Sequence, residues 1–288
     1  MIEVDERATA EAKAVAAEIE AQAAAMPSPH TLPVETQRAG MTAGAEPPLP
    51  QAIVDEIAGV PVRILEPEIA HGTFLHIHGG GWTMGSNSFQ DRRLWRYATE
   101  AHVRVVSVGY RLAPEHPFPA CIDDCLAVAS AVTGDRAVIG GESAGAHLSA
   151  LVLTGMRSAF CGANLAYGCY DLGMSPSQRT WGDRNVILST PIIRWHVDQL
   201  LPGLDDEARR DPSISPLYAD LSGLPPALLT IGTEDPMLDD SVQLAERWPG
   251  AQLDVYAGGF HAFDLFPIRL GEIATRRQIS FVRSCLTT

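Results

Sequence analysis

The chain has 288 residues, enough for one large core or for a domain with a small cap above it. With 46% hydrophobic and 19% charged residues it has the make-up of a folded globular protein, not a disordered one. The formal net charge of −14 argues against nucleic acid and anionic membrane surfaces as partners, because both repel an acidic protein.

Residues 5–25 are rich in Ala and Glu and predict a helix. Its apolar stripe, Val15 and Ile19 with alanines between, is thin, so the helix should lie over another element rather than form a core. The string MPSPH ends it, and a loop rich in Gly and Pro is expected to about Pro50. Two β-like runs, AIVDEI and VPVRILE, are separated by Ala58-Gly59 and read as a hairpin. From Gly72 onward the pattern alternates. TFLHIH, VRVVSVGY, RAVIGG and ANLAYGCY predict strands, and 89–101, 120–132 and 144–155 predict helices between them. After an interruption come the strand PALLTIG, a helix over 236–248, the strand QLDVYA and a last helix over 268–285. Apolar strands alternating with amphipathic helices predict an α/β fold whose mostly parallel sheet is covered on both faces. The interruption, about 172–211, is too long for a simple connection and carries its own predicted helix, TPIIRWHVDQLL.

The five cysteines are odd in number and lack CxxC spacing, which predicts buried free thiols. Cys121 and Cys125 stand four apart, but no histidine pair nearby completes a zinc site, so no metal is expected. The acidic start has no basic leader region, and no apolar run approaches the ~18 residues of a spanning helix. A cytoplasmic location is the default expectation.

IGGESAGAHLS, residues 139–149, places Ser143 between a predicted strand and a predicted helix, with Gly141 and Gly145 two residues away on either side. A serine in such a strand-to-helix turn takes a strained conformation that only small neighbours tolerate. The turn lifts its hydroxyl above the carboxyl ends of the strands, where ligands bind in open α/β sheets. A nucleophilic serine needs a base. His261, in YAGGFHAF, stands at the carboxyl end of a predicted strand on a loop with Gly258 and Gly259. His147 is nearer in sequence, but it lies one turn along the serine's own helix and points away. The histidine in turn needs an anion to hold its tautomer. LLTIGTEDPMLDD offers Glu234, Asp235, Asp239 and Asp240. Asp235 is favoured because it precedes Pro236 in the loop, whereas Asp239 and Asp240 should fall on a solvated helix face. HIHGGGW supplies the amides of Gly79, Gly80 and Gly81 at the same sheet edge, joined by that of Ala144, as donors to a developing oxyanion. Neither GxGxxG nor GxxxxGK[ST] is present, so a nucleotide loop is not indicated.

These motifs resemble the hormone-sensitive-lipase-like branch of the α/β-hydrolases, the bacterial family IV esterases. The likeness runs over roughly 75–263, through HGGGW, YRLAPEHPFPA, GESAG, SPLYADLSGLPPALL, GTEDPMLDD and GGFHAF. It implies Ser143, Asp235 and His261 as a catalytic triad in the family's chain order, and Gly80, Gly81 and Ala144 as oxyanion donors. It further implies an α/β-hydrolase catalytic domain over 51–288, with the N-terminal segment 1–50 and the 172–211 insertion packing together as a small helical cap. Departures lie at Glu142 and Gly109, where relatives often have Asp, and at Ala146-His147. His78 and Glu115 look structural.

The resemblance implies a carboxylesterase that needs no cofactor and cleaves short- to medium-chain acyl esters through an acyl-enzyme. Trp82, Met84, Trp181, Leu188, Trp195 and Phe260 are the expected pocket residues. A lactone or amide hydrolase with the same triad remains an alternative. A small-molecule receptor is disfavoured, because receptors of this family lack the histidine base. The expected partner is a small ester; a homodimer is compatible with the sequence.

Overall fold

A computed structural model describes residues 6–44, 47–133 and 136–287. Asp5, the expected first residue of the N-terminal helix, lies outside them. Helix α1 (Glu6–Ala24) is followed by α2 (Val34–Gly44), the hairpin β1 (Ile53–Ile57) and β2 (Val60–Leu65), and β3 (Thr73–Ile77). Then come α3 (Asp91–Ala101), β4 (Arg104–Val108), α4 (Ala120–Val132), β5 (Ala137–Glu142), α5 (Ala144–Gly155) and β6 (Gly162–Ala166). The insertion carries α6 (Pro176–Thr180) and α7 (Thr190–Leu200); β7 (Ala227–Glu234), α8 (Leu238–Arg247), β8 (Ala251–Phe260) and α9 (Arg269–Thr287) complete the chain.

The strands form one eight-stranded sheet in the order β1-β2-β4-β3-β5-β6-β7-β8. Strand β2 is antiparallel to both β1 and β4, and every other neighbour pair is parallel. The expected α/β class with a mostly parallel sheet is what is found. Side chains alternate between two cores, as the two-residue strand period requires. Phe74, Val105 and Val138 face Leu94, Tyr97, Ile279 and Val282 of α3 and α9. Leu75, Val106 and Ile139 belong to the opposite core, with Val128 of α4, Leu151 of α5 and Leu244 of α8. Burying both strand faces is why these segments read as unbroken apolar runs. Ala58 and Gly59 turn the hairpin with φ of 53° and 82°, the left-handed pair that matches strand twist.

Several expectations need correction. The stretch taken as a loop to Pro50 contains α2, whose VETQRAGMTAG string is too weakly amphipathic to announce itself without its neighbours. Helix α1 does lie over other elements, β8 and α9, but it buries Ala8, Ala12 and Ala16 instead of resting mainly on Val15 and Ile19. Small side chains spaced by one helical turn allow that close approach. The strand read as ANLAYGCY stops at Ala166, while the one read as QLDVYA runs on to Phe260 and takes in Gly258 and Gly259. His261 is therefore the first residue past β8.

Asp240, expected on a solvated face, is fully buried. Its Oδ1 accepts from the Tyr170 and Asp171 amides at 2.7 and 2.8 Å, and its Oδ2 from Ser175 Oγ and Gln178 Nε2 at 2.5 and 2.8 Å. Asp239 is likewise engaged, accepting from the Ser177 amide at 2.8 Å. The two carboxylates bind the start of the insertion to α8, a tertiary role that spacing alone does not reveal.

Candidate active site

In the parallel part of the sheet the strands end at one edge, and the chain delivers a polar group there almost every time it leaves a strand. Ser143 is the first residue after β5, Asp235 the first after β7 and His261 the first after β8. Ser143 has φ 54° and ψ −119°, the strained turn its surroundings require. A Cβ on Gly141 or on Gly145 would run into the Ile77 carbonyl oxygen, so both glycines are needed for β3 and the turn to sit this close. The strain is held by tertiary bonds: the Ser143 amide donates to the Ala166 carbonyl at 2.9 Å.

Three side chains converge. Ser143 Oγ lies 3.0 Å from His261 Nε2. His261 Nδ1 lies 2.9 Å from Asp235 Oδ2 and 3.1 Å from Oδ1. Asp235 Oδ1 also accepts from the Met237 amide at 2.8 Å, which fixes the carboxylate plane. Tyr167, the first residue after β6, packs its ring edge-to-face on His261 at 4.9 Å and donates its hydroxyl to Asp264 at 2.6 Å. His147 is elsewhere: its Nδ1 accepts from the Trp82 indole at 3.1 Å and its Nε2 donates to the Ile214 carbonyl at 2.7 Å. Burial lowers its pKa to about 4.

Beside Ser143 runs the glycine loop. The amides of Gly80 and Gly81 have no acceptor among the described residues. That of Ala144, first in its helix, has no intrahelical acceptor either. Glu142 anchors the start of the loop. It accepts from the Gly79 amide at 2.7 Å, from His76 Nε2 at 3.0 Å and from Gln90 Nε2, with Arg93 4.0 Å away. Burial opposes its charge, yet His76 and Arg93 with the Gly79 amide bring the carboxyl down to about 2. His78 stacks on Tyr110 at 4.2 Å and contacts the Gly79 carbonyl, and Glu115 pairs with Arg38 at 2.7 Å. The first ties the loops after β3 and β4 together, and the second ties the loop after β4 to α2.

Ser143 and His261 open into a cavity of about 1150 Å³. Of the residues expected in the pocket, Trp82, Met84 and Leu188 line this cavity; Trp181, Trp195 and Phe260 do not. Trp181 gives its indole N–H to the Arg184 carbonyl at 2.8 Å and stacks under that guanidinium. Trp195 stands on α7 beside His196 but outside the helix's buried stripe of Ile192, Ile193, His196, Val197 and Leu200. Phe260 is buried against Phe266 within the cluster that α1 covers. Residues missed from sequence include Phe89, Ile192, Ile193, His196 and Met237. The α7 set was detectable: Ile192, Ile193, His196, Val197 and Leu200 form the buried stripe of a 3.6-residue period, with one polar residue inside it.

A family model described as an alpha/beta hydrolase fold matches residues 74–265. The chain is 33% identical over 250 residues to the carboxylesterase NlhH of Mycobacterium tuberculosis, spanning 77% of this chain and 78% of that protein. It belongs to the α/β-hydrolase family. Among solved structures, a hormone-sensitive lipase from a metagenome library superposes with a TM-score of 0.87 at 27% identity, over 96% of this chain and 98% of that one. An ethyl acetate hydrolase of Pseudomonas putida is 30% identical over 239 residues, 74% of this chain and 73% of the relative. Within the α/β-hydrolases the chain is therefore of the hormone-sensitive-lipase-like, family IV esterase type. Among the described residues no helix is long and apolar enough to cross a membrane, and no group of His, Cys, Asp and Glu could hold a metal ion.

Proposed function

We propose that this α/β-hydrolase is a serine carboxylesterase for short- to medium-chain acyl esters. The observation that carries the reading is the unbroken line Ser143 Oγ, His261 Nε2, His261 Nδ1, Asp235 Oδ2, with contacts of 3.0 and 2.9 Å. In this reading His261 takes the Ser143 proton as Oγ attacks the ester carbonyl, and Asp235 holds the imidazole in the tautomer that accepts at Nε2. The tetrahedral oxygen is stabilised by the amides of Gly80, Gly81 and Ala144, each worth about 3 kcal/mol of barrier. His261 then gives its proton to the departing alcohol. Water, activated by the same imidazole, cleaves the acyl-enzyme and restores Ser143. The resemblance to proteins named carboxylesterase and ethyl acetate hydrolase supports the ester bond as the one cleaved.

In the same reading residues 51–288 are the catalytic domain, and residues 1–50 with 172–211 form its cap. Contacts between α7 and the 29–31 turn, and the Arg184–Glu20 ion pair at 3.2 Å, support that pairing. Trp82, Met84 and Leu188 are pocket walls, and their apolar surfaces suit an acyl chain. Five unpaired thiols favour a reducing compartment, hence the cytoplasm. The test is Ser143→Ala assayed on p-nitrophenyl butyrate. Wild-type protein gives a burst and steady turnover, and the variant loses the burst with kcat down on the order of 10⁵-fold. Turnover that survives the substitution ends the reading.

A further inference from the structure

The cavity holds a second imidazole that the proposed chemistry does not use. His196 is 5% exposed, and its ring is wedged against the glycine loop. Its Nδ1 lies 2.9 Å from Thr83 Oγ1. Gly81 leaves room for it: a Cβ there would come within 2.5 Å of Nδ1 and 2.6 Å of Cγ. Trp195 packs edge-on against the ring at 5.0 Å. Thr83 is itself fixed, since its carbonyl accepts from Arg38 Nε at 2.8 Å. The orientation of the imidazole is thus set from the cap side and the loop side together.

The other ring nitrogen is different. Nε2 has no hydrogen-bond partner among the described residues, and the ring lines the cavity. Burial, with His261 close by, takes the pKa of His196 down to about 4, so the ring stays neutral where esters are stable enough to assay. A neutral imidazole donates at one nitrogen and accepts at the other. If Thr83 donates its hydroxyl proton to Nδ1, Nε2 is a donor; if Nδ1 donates to Thr83, Nε2 is an acceptor. A hydroxyl group satisfies either tautomer. An alkyl group satisfies neither, and its arrival strips water from a buried polar atom that then has no partner.

We propose that His196 is a substrate-contacting residue whose Nε2 hydrogen-bonds a hydroxyl of the ester, so that the site prefers hydroxylated esters to alkyl esters of equal size. The inference rests on the carboxylesterase reading and deepens it.

Two matched pairs test it: 2-hydroxyethyl butyrate against propyl butyrate, and ethyl 3-hydroxybutyrate against ethyl 3-methylbutyrate. In wild-type protein the hydroxylated member of at least one pair should have the higher kcat/KM by about 3- to 10-fold, the span of one neutral hydrogen bond. His196→Phe fills the same space without a polar atom and should bring that ratio to about 1 by raising KM for the hydroxylated ester, whereas His196→Gln should keep part of it. Equal rates within both pairs in wild-type protein overturn the inference, and so does a preference that persists in His196→Phe. Should that variant not fold, nitrogen NMR of Ser143→Ala protein replaces it. The His196 Nε2 resonance should move on adding the preferred hydroxylated ester and stay put with its alkyl partner; no difference between the two again overturns the inference. Turnover of p-nitrophenyl butyrate with none of the four esters hydrolysed overturns the inference alone; no turnover of any of the five removes the esterase reading itself.

Discussion

On the sheet side of the cavity each polar group follows directly on the end of a strand, whereas on the covering side the groups come from a helix and loops held by distant contacts. Ser143, Asp235 and His261 are fixed by backbone that the sheet already orders, at the ends of β5, β7 and β8 in one parallel ladder. Leu188 and His196 stand on the 172–211 insertion, His196 on its helix α7 with a bond to Thr83, and the insertion is tied down by side-chain bonds such as those to Asp240. In the proposed reading, chemistry that tolerates little displacement falls to the stiff side. Discrimination between substrates then falls to the side that side-chain substitutions can reshape.

If that division is right, substitutions should fall into two magnitudes. Asp235→Asn keeps the shape but offers His261 the wrong hydrogen-bonding partner, and kcat should fall about 10⁴-fold with the melting temperature little changed. A drop of tenfold or less would mean that the sheet-side line is not the machinery.

Glu142→Gln comes next. It removes the one anion between His76 and Arg93 in a fully buried position, which should cost about 3 kcal/mol in urea unfolding. The same group predicts an acid transition. Its carboxyl is lowered from 4.5 to about 2 on folding, so its contribution is complete above about pH 4.5 and lost as pH falls through about 2. Thermal melts across that window should show wild-type stability declining, with a shallower decline in Glu142→Gln. Parallel slopes for the two proteins would contradict the network described around Gly79.

The smallest effects belong to the covering side. Leu188→Ala removes a pocket wall and should change KM for a butyrate ester by about 2- to 10-fold with kcat nearly kept, the scale of one or two methylenes in an apolar pocket. Trp181→Ala, outside the cavity, should leave kcat/KM within about twofold. Equal responses from the two would blur the line drawn between lining and non-lining residues.

The two sides also differ in how far their sequence announced them. Short apolar runs separated by helical patterns predicted the sheet, and α4 and α5 begin and end where their strings said, because propensity, pattern and burial agree there. Ser143, Asp235 and His261 could be singled out because each stands at a strand end marked by glycine or proline, a local signal. Trp181, Trp195 and Phe260 drew attention by side-chain type alone, which does not state direction. His196 carries no motif, and only the period of its helix places it inward.

By itself, the sequence determined the order of strands and helices, the class of the fold and the three residues worth testing, since short-range pattern and turn chemistry encode these. Tertiary structure alone decided that Asp240 is a buried clamp, that α2 exists where a loop was expected, and that Trp181 and Phe260 lie outside the cavity. Those depend on partners tens of residues away along the chain, and a contact of that kind leaves no periodic trace in either of the segments that make it.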